Sequence, residues 1–353
     1  MTRYLGGLIT KDESLVIPSD SYENTSAPGV WTLEEAQMLS KQGLWPTAGN
    51  AFPQRGVFAG GRTSSSYSNF ISYITIASTG NATEFGDLLA NNRWMAGCAS
   101  STRGIFGGGY TSSSQDVIQY VTIMTTGNAT DFGDLTVARY LLGGLSNSTR
   151  GVFAGGGGYL NVIDYITIAS TGNATDFGDL TAASEKVKGC ASTTRGLISG
   201  GEAGGAYTVT IEYITIASTG DASDFGDLLS GGGRAYHASF SSSTRGIVSA
   251  GGGDSNGYRS DVIQYVTIAS TGNATDFGDL LAANHYCVGL AGFTRGIVAG
   301  GETSGGASNV IQYITIASTG NATDFGDLDP DTDGWGAAYM NMAACSNAHG
   351  GLQ

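Results

Sequence analysis

Short apolar stretches recur along the chain, parted by runs of Gly, Ser, Thr and Asn, and their lengths and alternation predict strands rather than helices. The residues from Met95 to Leu135 show the pattern best. MAGCAS (Met95 to Ser100), RGIFGGG (Arg103 to Gly109), VIQYVTIM (Val117 to Met124) and DFGDL (Asp131 to Leu135) predict four consecutive strands. In the third, alternation sets Ile118, Tyr120 and Thr122 on one face and Val117, Gln119, Val121 and Ile123 on the other. Both faces are largely apolar, so both must be covered.

The same phrase returns. YITIASTGNATDFGDL and its variants begin at Tyr73, Tyr120, Tyr165, Tyr213, Tyr265 and Tyr313, each preceded by an RG phrase at Arg55, Arg103, Arg150, Arg195, Arg245 and Arg295. A spacing of about 45 to 50 residues is that of propeller blades, which bury both faces of a small sheet against neighbours in a ring. The chain is therefore expected to be all-β, a propeller of six blades, with seven as the competitor. YMNMAACSNAHGG from Tyr339 begins like a further blade but has only a first strand. It is expected to close the ring by serving blade one, whose own candidate around Thr47 to Pro53 contains Pro, a poor inner-strand residue.

The unit resembles the kelch motif: a small-residue inner strand, an apolar strand ending in GG, an aromatic third strand and a short fourth. The resemblance spans about Thr47 to Leu328 and departs at the fourth strand, where Phe85, Phe132, Phe177, Phe225, Phe277 and Phe325 stand in place of the Trp typical of that motif. Kelch-like propellers, of which the central domain of galactose oxidase is one, include copper radical oxidases. That chemistry needs His and Tyr ligands and a cross-linked Cys and Tyr. His237, His285 and His349 fall into no such motif, and Glu185, Glu202 and Glu302 suggest no glycosidase pair. No enzymatic activity and no cofactor are expected.

Composition agrees with a β ring: 57 of 353 residues are Gly, against a usual share of about 7%, and only 13% are charged. The net charge of −14 opposes phosphate backbones, so nucleic acid is not an expected partner, and no apolar run is long enough for a membrane-spanning helix. No secretory signal is seen at the start, MTRYLGGLITKDES, and folding where the chain is made is expected. Cys98, Cys190, Cys287 and Cys345 are scattered without CxxC spacing and read as free, buried thiols. Asp329, Asp331, Asp333 and Gly334 open like a calcium loop, but position twelve is Met340 rather than Glu, so an acidic turn is the preferred reading.

Residues 1–45 lack the repeat and form a separate extension; the propeller occupies 46–353. Thr32 and Glu35 have capping-box spacing, LEEAQMLSKQ suits a short helix, and Gly43 stands at its expected end. SAPGVWTLEEAQMLSKQGLWP, Ser26 to Pro46, resembles N-terminal segments of bacteriophage virion proteins, tail-associated and fibre-like ones in particular, and the repeat phrase resembles those of phage structural proteins. The resemblance implies a virion component, present in several copies or as a homo-oligomer, docking onto other virion proteins through this segment with Trp31, Leu33, Leu39 and Trp45.

Meander connectivity puts the first-to-second and third-to-fourth connections on one rim and the second-to-third and fourth-to-first on the other. The first rim is nearly constant, with STRG or TTRG and TGNATD in most copies, whereas RTSSSYSNF, YTSSSQD, GGYLNV, GEAGGAYTVT, GGDSNGYRSD and GETSGGASN diverge on the second. Tyr67, Tyr110, Tyr159, Tyr207 and Tyr258 fall on the second rim, with Arg93-Trp94, Arg139-Tyr140, Tyr236-His237 and His285-Tyr286. Rings that stack on sugar C–H faces beside hydrogen-bonding groups suit glycans, so host cell-surface polysaccharide is the expected ligand, with contact to other virion subunits as the alternative. The Arg and Asp repeated in every copy are expected to brace blades, and the sequon residues Asn81, Asn128, Asn173, Asn273 and Asn321 to form turns.

Overall fold

The computed structural model describes residues 53–63, 66–229, 235–252, 259–328 and 339–352. The expected helix, the docking residues Trp31, Leu33, Leu39 and Trp45, the acids Asp329, Asp331 and Asp333, and Tyr258 lie outside them. The ring forms one compact unit, Arg55–Gln353.

Six blades are present. Blade two has an inner strand Ala96–Ala99, a second strand Arg103–Gly107, a third Val117–Thr122 and an outer strand Thr130–Asp134, paired in that order. Blades three to six begin with inner strands Gly143–Ser146, Lys188–Ala191, Ala238–Ser241 and Val288–Ala291. Blade one takes its inner strand, Ala343–Ser346, from the far end of the chain; this strand pairs antiparallel with Arg55–Ala59, Ala59 opposite Ala343. The closing strand expected from the sequence is thus in place. The six inner strands are neighbours in a closed circle.

The core is divided among the junctions between blades. Val57, Ile71 and Phe85 of blade one meet Phe106, Val121 and Ile123 of blade two, and five similar clusters fill the other junctions. The third strand is buried on both faces as its sequence demands: Ile118, Gln119 and Val121 are all under 4% exposed. Within each blade the repeat Tyr and Phe meet edge to face, as in Tyr120 and Phe132 at 5.9 Å between ring centroids.

The repeated Arg and Asn hold the constant rim together. Arg103 lies over the Tyr120 ring of its own blade and donates from Nη1 to the Ile168 carbonyl of the next at 2.9 Å; Arg150, Arg195 and Arg245 do the same to Ile216, Ile268 and Ile316. The repeated Asp contributes its backbone: Asp134 N–H donates to the side chain of Asn173 in the turn of the next blade at 3.1 Å, and Asp327 to Asn81 at 3.0 Å closes the circle. The sequon Asn residues are therefore turn residues that also clasp the preceding blade. This clasp demands Gly at Gly133, where φ is 146° and a Cβ would stand 2.4 Å from the Gly172 carbonyl oxygen.

The axis is filled at the constant rim by the residues after the closing strand. His349 Nε2 donates to the Ala99 carbonyl at 3.0 Å, and Gly351 N–H donates to His349 Nδ1 at 3.1 Å, which sets the neutral tautomer with the proton on Nε2. Burial lowers this imidazole to about 4. All four cysteines are free and buried; burial raises Cys190 to about 11 and Cys287 and Cys345 to about 12, and raises Cys98 further.

Candidate functional site

The divergent rim is built from the second-to-third loops and the fourth-to-first loops, which meet through bridges such as Arg93 with Tyr110 and His285 with Glu302. At its centre is a backbone collar. Trp94, Leu141, Lys186, Tyr236, Tyr286 and Asn341 each stand two residues before an inner strand, and each has φ between 57° and 63°. Non-glycine residues adopt that left-handed conformation only when the surroundings require it. The requirement is a chain of five hydrogen bonds that links the six residues: Trp94 N–H to the Asn341 carbonyl, Leu141 to Trp94, Lys186 to Leu141, Tyr286 to Tyr236 and Asn341 to Tyr286, at 2.8–3.0 Å.

Around the collar the side chains gather in two groups. In the first, Trp94 stacks on Tyr140 at 5.4 Å between centroids, Tyr110 meets both edge-on, and the Arg93 guanidinium lies 3.5 Å from the Trp94 centroid and 4.3 Å from Tyr67. Burial, with Arg62 close by, holds Arg93 below the ordinary guanidinium range, though still charged. In the second group, Tyr236 and Tyr286 lie 4.2 Å apart, His285 is against Tyr286, and Lys186 faces Tyr236. Lys186 also binds Glu202, and Glu185 at 3.0 Å, while Tyr159 donates its hydroxyl to Glu202 at 2.6 Å. Burial opposes the Lys186 charge, but the bonds to Glu202 and Glu185 outweigh it and raise the ammonium above its usual range.

Of the residues singled out from sequence, Arg93, Trp94, Tyr110 and Tyr140 come together as one cluster, and Tyr236, His285 and Tyr286 as another. Tyr159 is exposed on the rim, 38% accessible. Arg139 and His237 are corrections, because both are fully buried and present nothing to the rim. Arg139 is ion-paired with Asp164, and His237, one residue inside the collar, has Nε2 3.1 Å from the Ser199 hydroxyl. The two-residue motifs looked equivalent in sequence, but Trp94 and Tyr286 occupy the collar while Tyr140 and Arg93 precede it and His237 follows it, so adjacent aromatics point to different places. His285 is also mostly buried, 7% exposed, with Nδ1 held 3.1 Å from the Glu302 carbonyl oxygen.

Sequence reasoning missed the collar residues Leu141, Lys186 and Asn341; it named Glu185 and Glu202 but saw no pair in them, whereas they oppose each other across adjacent strands. The constant offset of two residues from each inner strand would have located the collar. The general acid of a glycosidase needs a raised carboxyl; burial works to raise Glu202, but its bonds to Lys186 and Tyr159 outweigh that and lower it. Among the described residues no group of three or more His, Cys, Asp or Glu could hold a metal ion.

No protein-family model matches this sequence, and no curated protein compared with it matches.

Proposed function

We propose that the protein is a non-enzymatic phage virion protein of kelch-like type, tail fibre or adhesin in kind, whose divergent rim recognises a host-surface glycan. The observation that carries this reading is the division of labour between the rims. One rim repeats Arg-to-carbonyl and Asp-to-Asn braces from blade to blade. The other gathers Arg93, Trp94, Tyr110 and Tyr140 at a single place in the ring. A patch that packing alone required would recur at each blade, as the braces do. Planar rings beside a guanidinium offer the C–H stacking and hydrogen bonding that sugars use. The kelch and virion resemblances of the sequence support the placement in a particle, made in the host cytoplasm, and residues 1–45 would dock it to other virion subunits.

The test is binding of the full chain to an array of bacterial surface polysaccharides. Trp94→Ala is expected to lower binding at least tenfold while the melting temperature of the ring holds. Absence of any glycan binding, together with retention on purified virion subunits, would favour the second reading, a decoration or assembly protein. That reading draws on the exposed Leu89, Val137 and Leu281 at the periphery of the same rim.

A further inference from the structure

Beneath the collar lies a cation with no anion paired to it among the described residues. Lys188, the first residue of the blade-four inner strand, lines both the cavity at the collar and the axial cavity below it. The protein's ion pairs among the described residues are Arg139 with Asp164, Lys186 with Glu185 and Glu202, and Arg259 with Glu302. Lys188 is in none of them, and burial lowers its ammonium with no carboxylate to oppose the effect. In the wall of the same collar cavity stands Trp94, whose indole N–H is buried and has no hydrogen-bond partner. A half-buried ammonium with no counter-ion and an indole N–H with no acceptor, on two residues lining one cavity, are the two elements of an anion site, since each costs free energy until it meets an acceptor.

We propose that this cavity receives the carboxylate of an acidic sugar, a uronic-acid residue of the polysaccharide bound at the rim; the sugar part of this inference rests on the recognition reading above. One ammonium and one neutral donor balance a monoanion rather than a phosphate dianion. The collar sets the fit. Hydrogen-bonded backbones lie about 4.8 Å apart, so six of them stand about 5 Å from the axis. Such an opening passes a carboxylate but holds a pyranose ring outside, where Tyr236 and Tyr286 can stack on it. The chain's net charge of −14 repels polyanions at long range, but salt near 0.15 M screens that beyond about 8 Å and leaves the contact at Lys188 largely intact.

The experiment is calorimetric titration of the full chain in 0.15 M salt with sodium glucuronate, sodium acetate and glucose. Glucuronate is expected to bind at least tenfold more tightly than acetate, and glucose not at all. Lys188→Met is expected to lower glucuronate affinity at least tenfold without lowering the melting temperature, because it removes an unpaired charge; Lys188→Gln gives the same readout should Met fold poorly. Equal glucuronate binding by wild type and Lys188→Met, or none by wild type, overturns the site. Acetate binding as tight as glucuronate overturns its assignment to a sugar. Neutral glycans bound on the array without glucuronate binding would sink this inference and leave the recognition reading standing. Glucuronate bound at Lys188 with no polysaccharide retained would do the reverse.

Discussion

The Asp164 carboxylate meets the Arg139 guanidinium at 2.9 Å with neither side chain exposed, and the same carboxylate accepts from the Thr136 hydroxyl at 2.6 Å. The pair spans a blade junction, since Arg139 leaves blade two and Asp164 sits mid-strand in blade three. Arg139 also donates from Nη2 to the Phe153 carbonyl at 3.3 Å, while its Nε and Nη1 find no partner among the described residues. Removing one member leaves the other charged in a dry place. Asp164→Ala is expected to cost about 3–5 kcal/mol in chemical denaturation, and the double variant Arg139→Met/Asp164→Leu far less than the single one. A double variant as unstable as Asp164→Ala would contradict this account.

The brace at Arg103 combines a ring contact with Tyr120 and one hydrogen bond to Ile168. Arg103→Met keeps the aliphatic stem and loses both, for an expected loss of about 1–3 kcal/mol. Because Arg195 makes the same contacts with Tyr213 and Ile268, Arg195→Met should lose a similar amount by urea denaturation.

Gly133→Ala drives a methyl group against the backbone of the next blade and is expected to cost more than about 2 kcal/mol, a backbone clash being harder to relieve than a crowded side chain. Gly305→Ala, on the divergent rim, would meet nothing nearer than the Thr303 hydroxyl at 3.6 Å and should fall within about 0.5 kcal/mol of wild type. Thermal unfolding of the two variants side by side decides the point.

The imidazole of His349 is held neutral by accepting from Gly351 on one nitrogen and donating to Ala99 from the other. Its folded value, about 4, lies below the unfolded value of about 6.5. The unfolded chain therefore takes up this proton first as pH falls. The ring keeps its full stability above about 6.5 and loses it progressively down to about 4, by roughly 3 kcal/mol from this group. Between pH 7.5 and pH 4.5 wild type should lose more stability than His349→Gln; parallel pH profiles would remove His349 as the cause.

The thiols of Cys98, Cys190, Cys287 and Cys345 are buried and raised, so a thiol reagent at pH 8 should react with the native ring only as fast as it opens. Stoichiometric labelling within seconds, without denaturant, would show that a thiol is accessible.

The ring could be read from the sequence because its constraints fall on side chains. Burial on both faces needs Ile, Val and Tyr at fixed alternation in Val117–Thr122, and the inter-blade brace needs Arg at each of six places. The rim was harder to read. The collar constrains the backbone, through left-handed φ and hydrogen bonds between peptides, so Trp, Leu, Lys, Tyr and Asn all serve and no residue type marks the position. Arg139 misled for a related reason. One place nearer the collar it would have faced Trp94 as Tyr140 does; where it stands it lies in the junction and meets Asp164.

The pairing of Ala59 with Ala343 also bears on how the molecule is made. A ribosome delivers blade one's second strand early and its inner strand only after the other blades have emerged, so a nascent chain holds two unmatched oily flanks through most of its synthesis. Contacts so distant in sequence form slowly, and exposed flanks invite association with other chains. Translation that stops before residue 346 would thus yield an aggregation-prone fragment, not a smaller working protein.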